Sequence, residues 1–186
     1  MRILYLVAAL FLLPASDIII DRAEAQRAFE LLNDIRSNTE KYYPEFSFLK
    51  SARITHTQLT WDEQLAKVAE DRAYDMANRN YFNHVDPSGY GINHYIAKGG
   101  YKLNKEWTKN KRENYFESIA AEVKDGNEAI KMLIVDEGIS SKGHRKHLLG
   151  LDEWNSTLTD IGIGFARRET GSTYTSYVSI VIAKHQ

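Results

Sequence analysis

Asp160-Ile161-Gly162-Ile163-Gly164-Phe165-Ala166 alternates apolar side chains with glycine or alanine. A two-residue period is that of a strand, and glycine along one face is what a strand carries where another layer comes close. Residues 174–182 are rich in β-branched and aromatic side chains and alternate in part. Gly171-Ser172 supplies a turn between the two runs. The C-terminal third therefore predicts an antiparallel pair of strands.

Upstream the period changes to that of helices. In residues 23–35, Ala28, Leu31, Leu32 and Ile35 share one face, while Glu24, Arg27, Glu30 and Asp34 point away from it. Pro44, after Tyr42-Tyr43, closes this region. Thr60-Trp61-Asp62-Glu63 has the form of a capping box, with Thr60 as cap. Leu65, Val68, Ala69, Ala73 and Met76 follow as a buried stripe. Alanines at 66, 69, 73 and 77 keep that helix slim enough for close packing. The turn formers of residues 83–89 interrupt the pattern. A short helix is expected over 92–98, stopped by Gly99-Gly100. A longer one is expected after Asn127, running through 128–135 and ended by Gly138, and a last short one over 144–149. Helices first and a sheet last indicate an α+β layered domain.

The chain has 186 residues, enough for one domain with a sizeable core. Its 43% hydrophobic and 26% charged content excludes a disordered or multi-span membrane protein. A formal net charge of -1 leaves no basic excess for nucleic-acid binding. The absence of cysteine removes disulfides, zinc–thiolate sites, thiol nucleophiles and lipoprotein anchoring. At the N-terminus, Arg2, the apolar run 3–13 and Pro14-Ala15-Ser16 follow the order of a secretory signal. The run is too short for a comfortable membrane span. Residues 1–16 are thus expected to be removed on export to a periplasmic or extracellular location, leaving no stable membrane span. A cut at Ala23-Glu24-Ala25 is less suitable because it falls in the first helix. A buried N-terminal helix is the other reading of the segment.

Candidate chemistry centres on His84, in a turn beside Asn83 and Asp86, and His144, after Gly143. Glu113, Glu117, Glu122, Asp136 and Glu137 lie in the same stretches. Two imidazoles with one or two carboxylates suit zinc or another divalent cation, and equally suit acid–base work near neutral pH. His144 and His147 are three residues apart and form a rival ligand pair. No His-Glu-x-x-His motif, nucleophile elbow, phosphate-binding loop or dinucleotide fingerprint occurs.

Four segments in order give the chain a family likeness. They are 59–65 with its alanine-rich helix; 81–89 with Gly100-Tyr101 after it; Glu117-Ser118-Ile119-Ala120; and 143–149 with Ile161-Gly162-Ile163-Gly164 downstream. The sequence resembles the CAP superfamily (cysteine-rich secretory proteins, antigen 5 and pathogenesis-related class 1 proteins) in its bacterial SCP-like form. The resemblance implies a domain over 22–186 built as a three-layer α-β-α sandwich with a central antiparallel sheet. It also implies a cleft holding His84, Glu117, Asp136 and His144, able to take a divalent metal. Phe116 and Ser118 replace the Gly and Asn of the family's Gly-Glu-Asn motif, and Glu113-Asn114 is a competing alignment. Asp136 stands where many members have Glu, and His147 replaces a common Asn. The implied function is binding of a lipid, sterol, peptide or cell-envelope component. The alternative is a metal- or His-assisted hydrolase, protease or esterase-like, with Glu117 as general base beside His84 and His144. A purely structural cleft is the third reading.

Overall fold

The computed structural model describes residues 17–185. The expected secretory signal, 1–16, lies outside the described residues. The elements in chain order are β1 (Ile18–Ile20), α1 (Arg22–Ser37), β2 (Thr60–Trp61), α2 (Glu63–Arg79), α3 (Ile92–Lys98), β3 (Glu117–Ala121), α4 (Gly126–Val135), α5 (Gly143–Leu149), β4 (Asp160–Arg168) and β5 (Ser176–Ala183). The sheet runs β1-β4-β5-β3, with β2 also paired to β4. All pairings are antiparallel except the short β2–β4 contact.

Register assigns each side chain to a layer. Ile161, Ile163 and Phe165 stand opposite Ile182, Ile180 and Val178, and Ser118 and Ala120 continue that face onto β3. These apolar residues share one core with Ala28, Leu32 and Ile35 of α1, Leu133 and Ile134 of α4, and Leu148 of α5. The other face carries Gly162, Gly164, Ala166, Ser179, Val181, Glu117 and Ile119, and it receives α2. A Cβ on Gly162 would sit 2.0 Å from the Ala66 nitrogen, and one on Gly164 would sit 2.2 Å from the Ala69 oxygen. Strand and helix therefore touch backbone to backbone, and the alanines of α2 meet the glycines of β4. The result is the expected α-β-α sandwich.

The details depart from expectation at element ends. Thr60 does not cap α2, because Thr60 and Trp61 pair with β4 as β2. Asp62 caps instead, accepting from the Leu65 N–H at 2.9 Å. Glu24 does not face water; it is buried and accepts the Gly126 N–H at 3.0 Å, which ties α4 to α1. Helix α4 ends at Asp136, not Gly138, and Asp136 adopts φ 50° as its C-cap.

Candidate functional site

The site grows from β3. Consecutive strand residues point to opposite faces, so Glu117 is directed at α2 and Ser118 at α5. Each meets a histidine, directly or through a shared network.

On the α2 face, Glu117 Oε2 lies 3.0 Å from His84 Nδ1. Its Oε1 accepts from Arg72 Nε at 3.2 Å and from Ser179 Oγ at 2.8 Å. Arg72 and Glu117 have side chains only 2% and 0% exposed, so two charges are buried as a pair. Burial pushes the Glu117 carboxyl up, but the His84 hydrogen bond and the Arg72 charge outweigh it and hold it below the ordinary carboxylate value. A carboxylate can only accept, so His84 Nδ1 carries a proton, and Nε2 is the ring nitrogen turned away from the acid. Arg72 also donates to Tyr81 Oη and to the carbonyls of Asn83 and His84. The guanidinium thus fixes both the acid and the loop that carries the histidine. Asp86 completes the loop by accepting from the Tyr90 N–H at 2.8 Å and from Arg79 at 2.7 Å. Burial raises its pKa, but these bonds and that of Tyr95 prevail and bring it to about 2.

On the other face, His144 Nδ1 lies 2.8 Å from Asp136 Oδ1. Asp136 Oδ2 accepts the backbone N–H groups of His144 and Arg145 at 3.0 and 3.3 Å. The same residue therefore ends α4, satisfies free amides at the start of α5 and orients the imidazole. Here too the carboxylate faces Nδ1, and Nε2 is the nitrogen turned away from it. The histidine side chains are 35% and 28% exposed, whereas the acids are 0% and 2% exposed.

The competing assignments resolve geometrically. Glu113 accepts from Asn110 at 2.8 Å and has no histidine partner among the described residues, so Glu117 is the acid beside His84. His147 does not pair with His144: it is buried, with Nδ1 2.8 Å from Ser118 Oγ. Its Nε2 is buried without a hydrogen bond of good geometry. Among the described residues no three His, Asp or Glu side chains gather as a metal-holding group. The two carboxylates instead occupy the outer position behind each imidazole, as acids do behind histidines that bind through their far nitrogen. Arg72 and Ser179 belong to the site and were missed in sequence. Arg72 carried a signal, since it lies on the buried stripe of α2 between Ala69 and Ala73, where a charge needs a partner.

His147 links the two halves. Burial lowers its pKa to about 4; the Ile182 carbonyl works against this, and charges on His144, His84 and Arg36 add to it. The native state binds fewer protons than the unfolded chain between pH 6.5 and 4. Stability is therefore kept above 6.5 and lost as pH falls toward 4, by about 3 kcal/mol from this group. Urea denaturation across that range should show a shallower acid slope for His147→Asn than for the wild type. Equal slopes would remove His147 as the cause.

The comparisons agree with this architecture. The family model described as "Cysteine-rich secretory protein family" (CAP) matches residues 29–181. The chain is 28% identical over 134 residues to the uncharacterized membrane protein YlbC of Bacillus subtilis, covering 72% of this chain and 33% of YlbC. It is 32% identical over 117 residues to YkwD of the same organism, covering 61% of this chain and 36% of YkwD. The chain thus spans about a third of the length of these curated relatives. A crystal structure of an extracellular protein containing an SCP domain from Bacillus anthracis superposes with TM-score 0.54 at 27% identity, covering 88% of this chain and 41% of that one. An outer surface protein of Borrelia burgdorferi shares the fold, with TM-score 0.50 at 17% identity over 86% of this chain and 95% of that one. No helix among the described residues is long and apolar enough to cross a membrane. With the family model covering most of the sandwich and both histidine-bearing segments, this chain belongs to the CAP family.

Proposed function

We propose that the chain is an exported ligand-binding domain whose cleft offers His84 Nε2 and His144 Nε2 to a ligand, with zinc or another divalent cation as the bridging ion. The observation that carries this reading is the repeated arrangement of a partly exposed imidazole backed by a buried carboxylate on Nδ1. Neutral imidazole nitrogen is a good donor to zinc, and a carboxylate behind it raises its basicity. Two nitrogens leave the remaining positions open, which fits an ion that a ligand completes and does not fit a closed structural site. A cation held there would polarise an oxygen of the bound ligand. Export is supported by the N-terminal sequence and by the extracellular relative from Bacillus anthracis. The hydrolase alternative needs Glu117 as general base. Its carboxylate is held below the ordinary value and is bonded on both oxygens, so we leave catalysis out of the proposal.

Zinc titration by calorimetry tests it. One ion per chain should bind the wild type, and His84→Ala or His144→Ala should each abolish the heat. Glu117→Gln should weaken binding by about 10–100-fold, the usual cost of losing the group behind a ligand histidine. Undiminished binding in both histidine variants would sink the reading.

A further inference from the structure

Strand β3 ends the sheet on one side. The bonds from Ile182 N–H to Phe116 O (2.9 Å) and from Glu122 N–H to Ser176 O (3.1 Å) set the phase of its ladder with β5. Hydrogen-bonded positions alternate in an antiparallel pair, so Ser118 and Ala120 also turn their backbone groups toward β5. Glu117, Ile119 and Ala121 turn theirs outward. The outward groups of Glu117 are already satisfied by Asn114, which accepts its N–H at 2.9 Å and donates to its carbonyl at 3.1 Å. Those of Ile119 and Ala121 have no such partner among the described residues.

This open edge lines a groove of about 1270 Å³. Phe82 and Tyr174, edge-to-face at 5.7 Å, border it on the side of Ile119. Met132 and Val135 of α4 and His144 border it from the other layer. Four of the seven large apolar side chains exposed among the described residues line this one groove. Six acidic side chains and two lysines also line it, a net negative surround.

We propose that the groove binds an extended, net basic polypeptide segment as an added strand on β3. The inference deepens the ligand-binding reading above and rests on it. Unpaired N–H and C=O groups at alternate strand residues match the backbone of another extended chain and no other common ligand class. Side chains of an added strand alternate between faces. Half would reach the Phe82–Tyr174 side and half would pass α4 and His144, which gives main-chain affinity with side-chain selection on both sides. The excess of carboxylates selects basic segments.

A short fluorescein-labelled peptide alternating lysine and valine is the probe, read by polarisation. The full chain should bind it. A peptide of the same sequence, N-methylated at alternate residues on one edge and then on the other, should bind about ten-fold more weakly for one of the two patterns, since main-chain bonds are lost. Ala121→Pro removes an outward N–H where an edge strand tolerates proline, and it should weaken the peptide similarly while leaving zinc titration unchanged. Equal binding of all peptides, or no binding at all, overturns the strand-addition proposal. If zinc still binds through His84 and His144 in that case, the cleft reading stands without it. If the peptide binds with the expected N-methyl pattern and zinc does not bind, the ion is wrong and the edge is right.

Discussion

Arg72→Ala should cost about 3–5 kcal/mol of folding stability, the effect of stranding one partner of a buried ion pair. With Arg72 gone, Glu117 stays in a place where its side chain has no exposure and only His84 and Ser179 remain to compensate it. Tyr81 Oη and the carbonyls of Asn83 and His84 lose their donor as well. Arg72→Lys should recover little of this, because one ammonium with three protons cannot reproduce a planar fork that serves an acid, a phenol and two carbonyls. A domain of this size has roughly 5–15 kcal/mol in total, so the loss is a large share of the margin. Urea denaturation measures it. Adding Glu117→Gln to Arg72→Ala should return part of the loss by removing the orphaned charge. If the double variant is no more stable than Arg72→Ala, the buried pair is not what Arg72 secures.

The second large effect is expected at the glycines of β4. Gly164→Ala places a methyl group 2.2 Å from the Ala69 carbonyl oxygen and 2.4 Å from the Glu70 nitrogen. Both obstacles are backbone, so no side chain can rotate away, and α2 must retreat by about an ångström. Overpacking of this kind costs about 3 kcal/mol, at the upper end of its usual range because the strain spreads along a helix. Gly162→Ala should do the same against Ala66. Gly143→Ala is the control: its Cβ would meet only Ser141 Oγ, at 3.6 Å, and its stability should be close to that of the wild type. Because Arg72 rides on α2, the Gly164 variant should also weaken the zinc binding proposed above, although residue 164 is far from His84 in sequence. A wild-type melting temperature for Gly164→Ala would show that helix and strand do not depend on this contact.

The layers were legible because they rest on period. Ile161, Ile163 and Phe165 alternate with small residues, and the Leu65–Val68–Met76 stripe repeats at helical spacing, so β4, β5 and α2 could be placed without coordinates. The short strands could not. Thr60-Trp61 is two residues long, and its capping-box pattern is as good a local signal as the pairing that prevails; β4 lies about a hundred residues downstream, beyond any local rule. Strand β3 is buried on both faces, so its residues do not alternate. Glu24 was misplaced for a similar reason: its partner, the Gly126 N–H, comes from a distant helix start. For the candidate site, motif order singled out His84, Glu117, Asp136 and His144, but residue type alone could not say which acid would lie against which histidine, or by which nitrogen. Both acids lie against Nδ1.

Adjacent residues of β3 serve different layers: Glu117 reaches Arg72 and His84, and Ser118 reaches His147. A deletion of one residue between Asn114 and Glu117 would preserve the composition of the strand yet could exchange its faces. The acid would then be driven among the apolar side chains of α4 and α5, and the hydroxyl would be left under Arg72. The Glu117–His84 contact and the packing behind it therefore share a single point of failure. Length changes before β3 should be far less tolerable than substitutions within it, and a chain altered there could retain most of its sheet while losing both histidine partnerships at once.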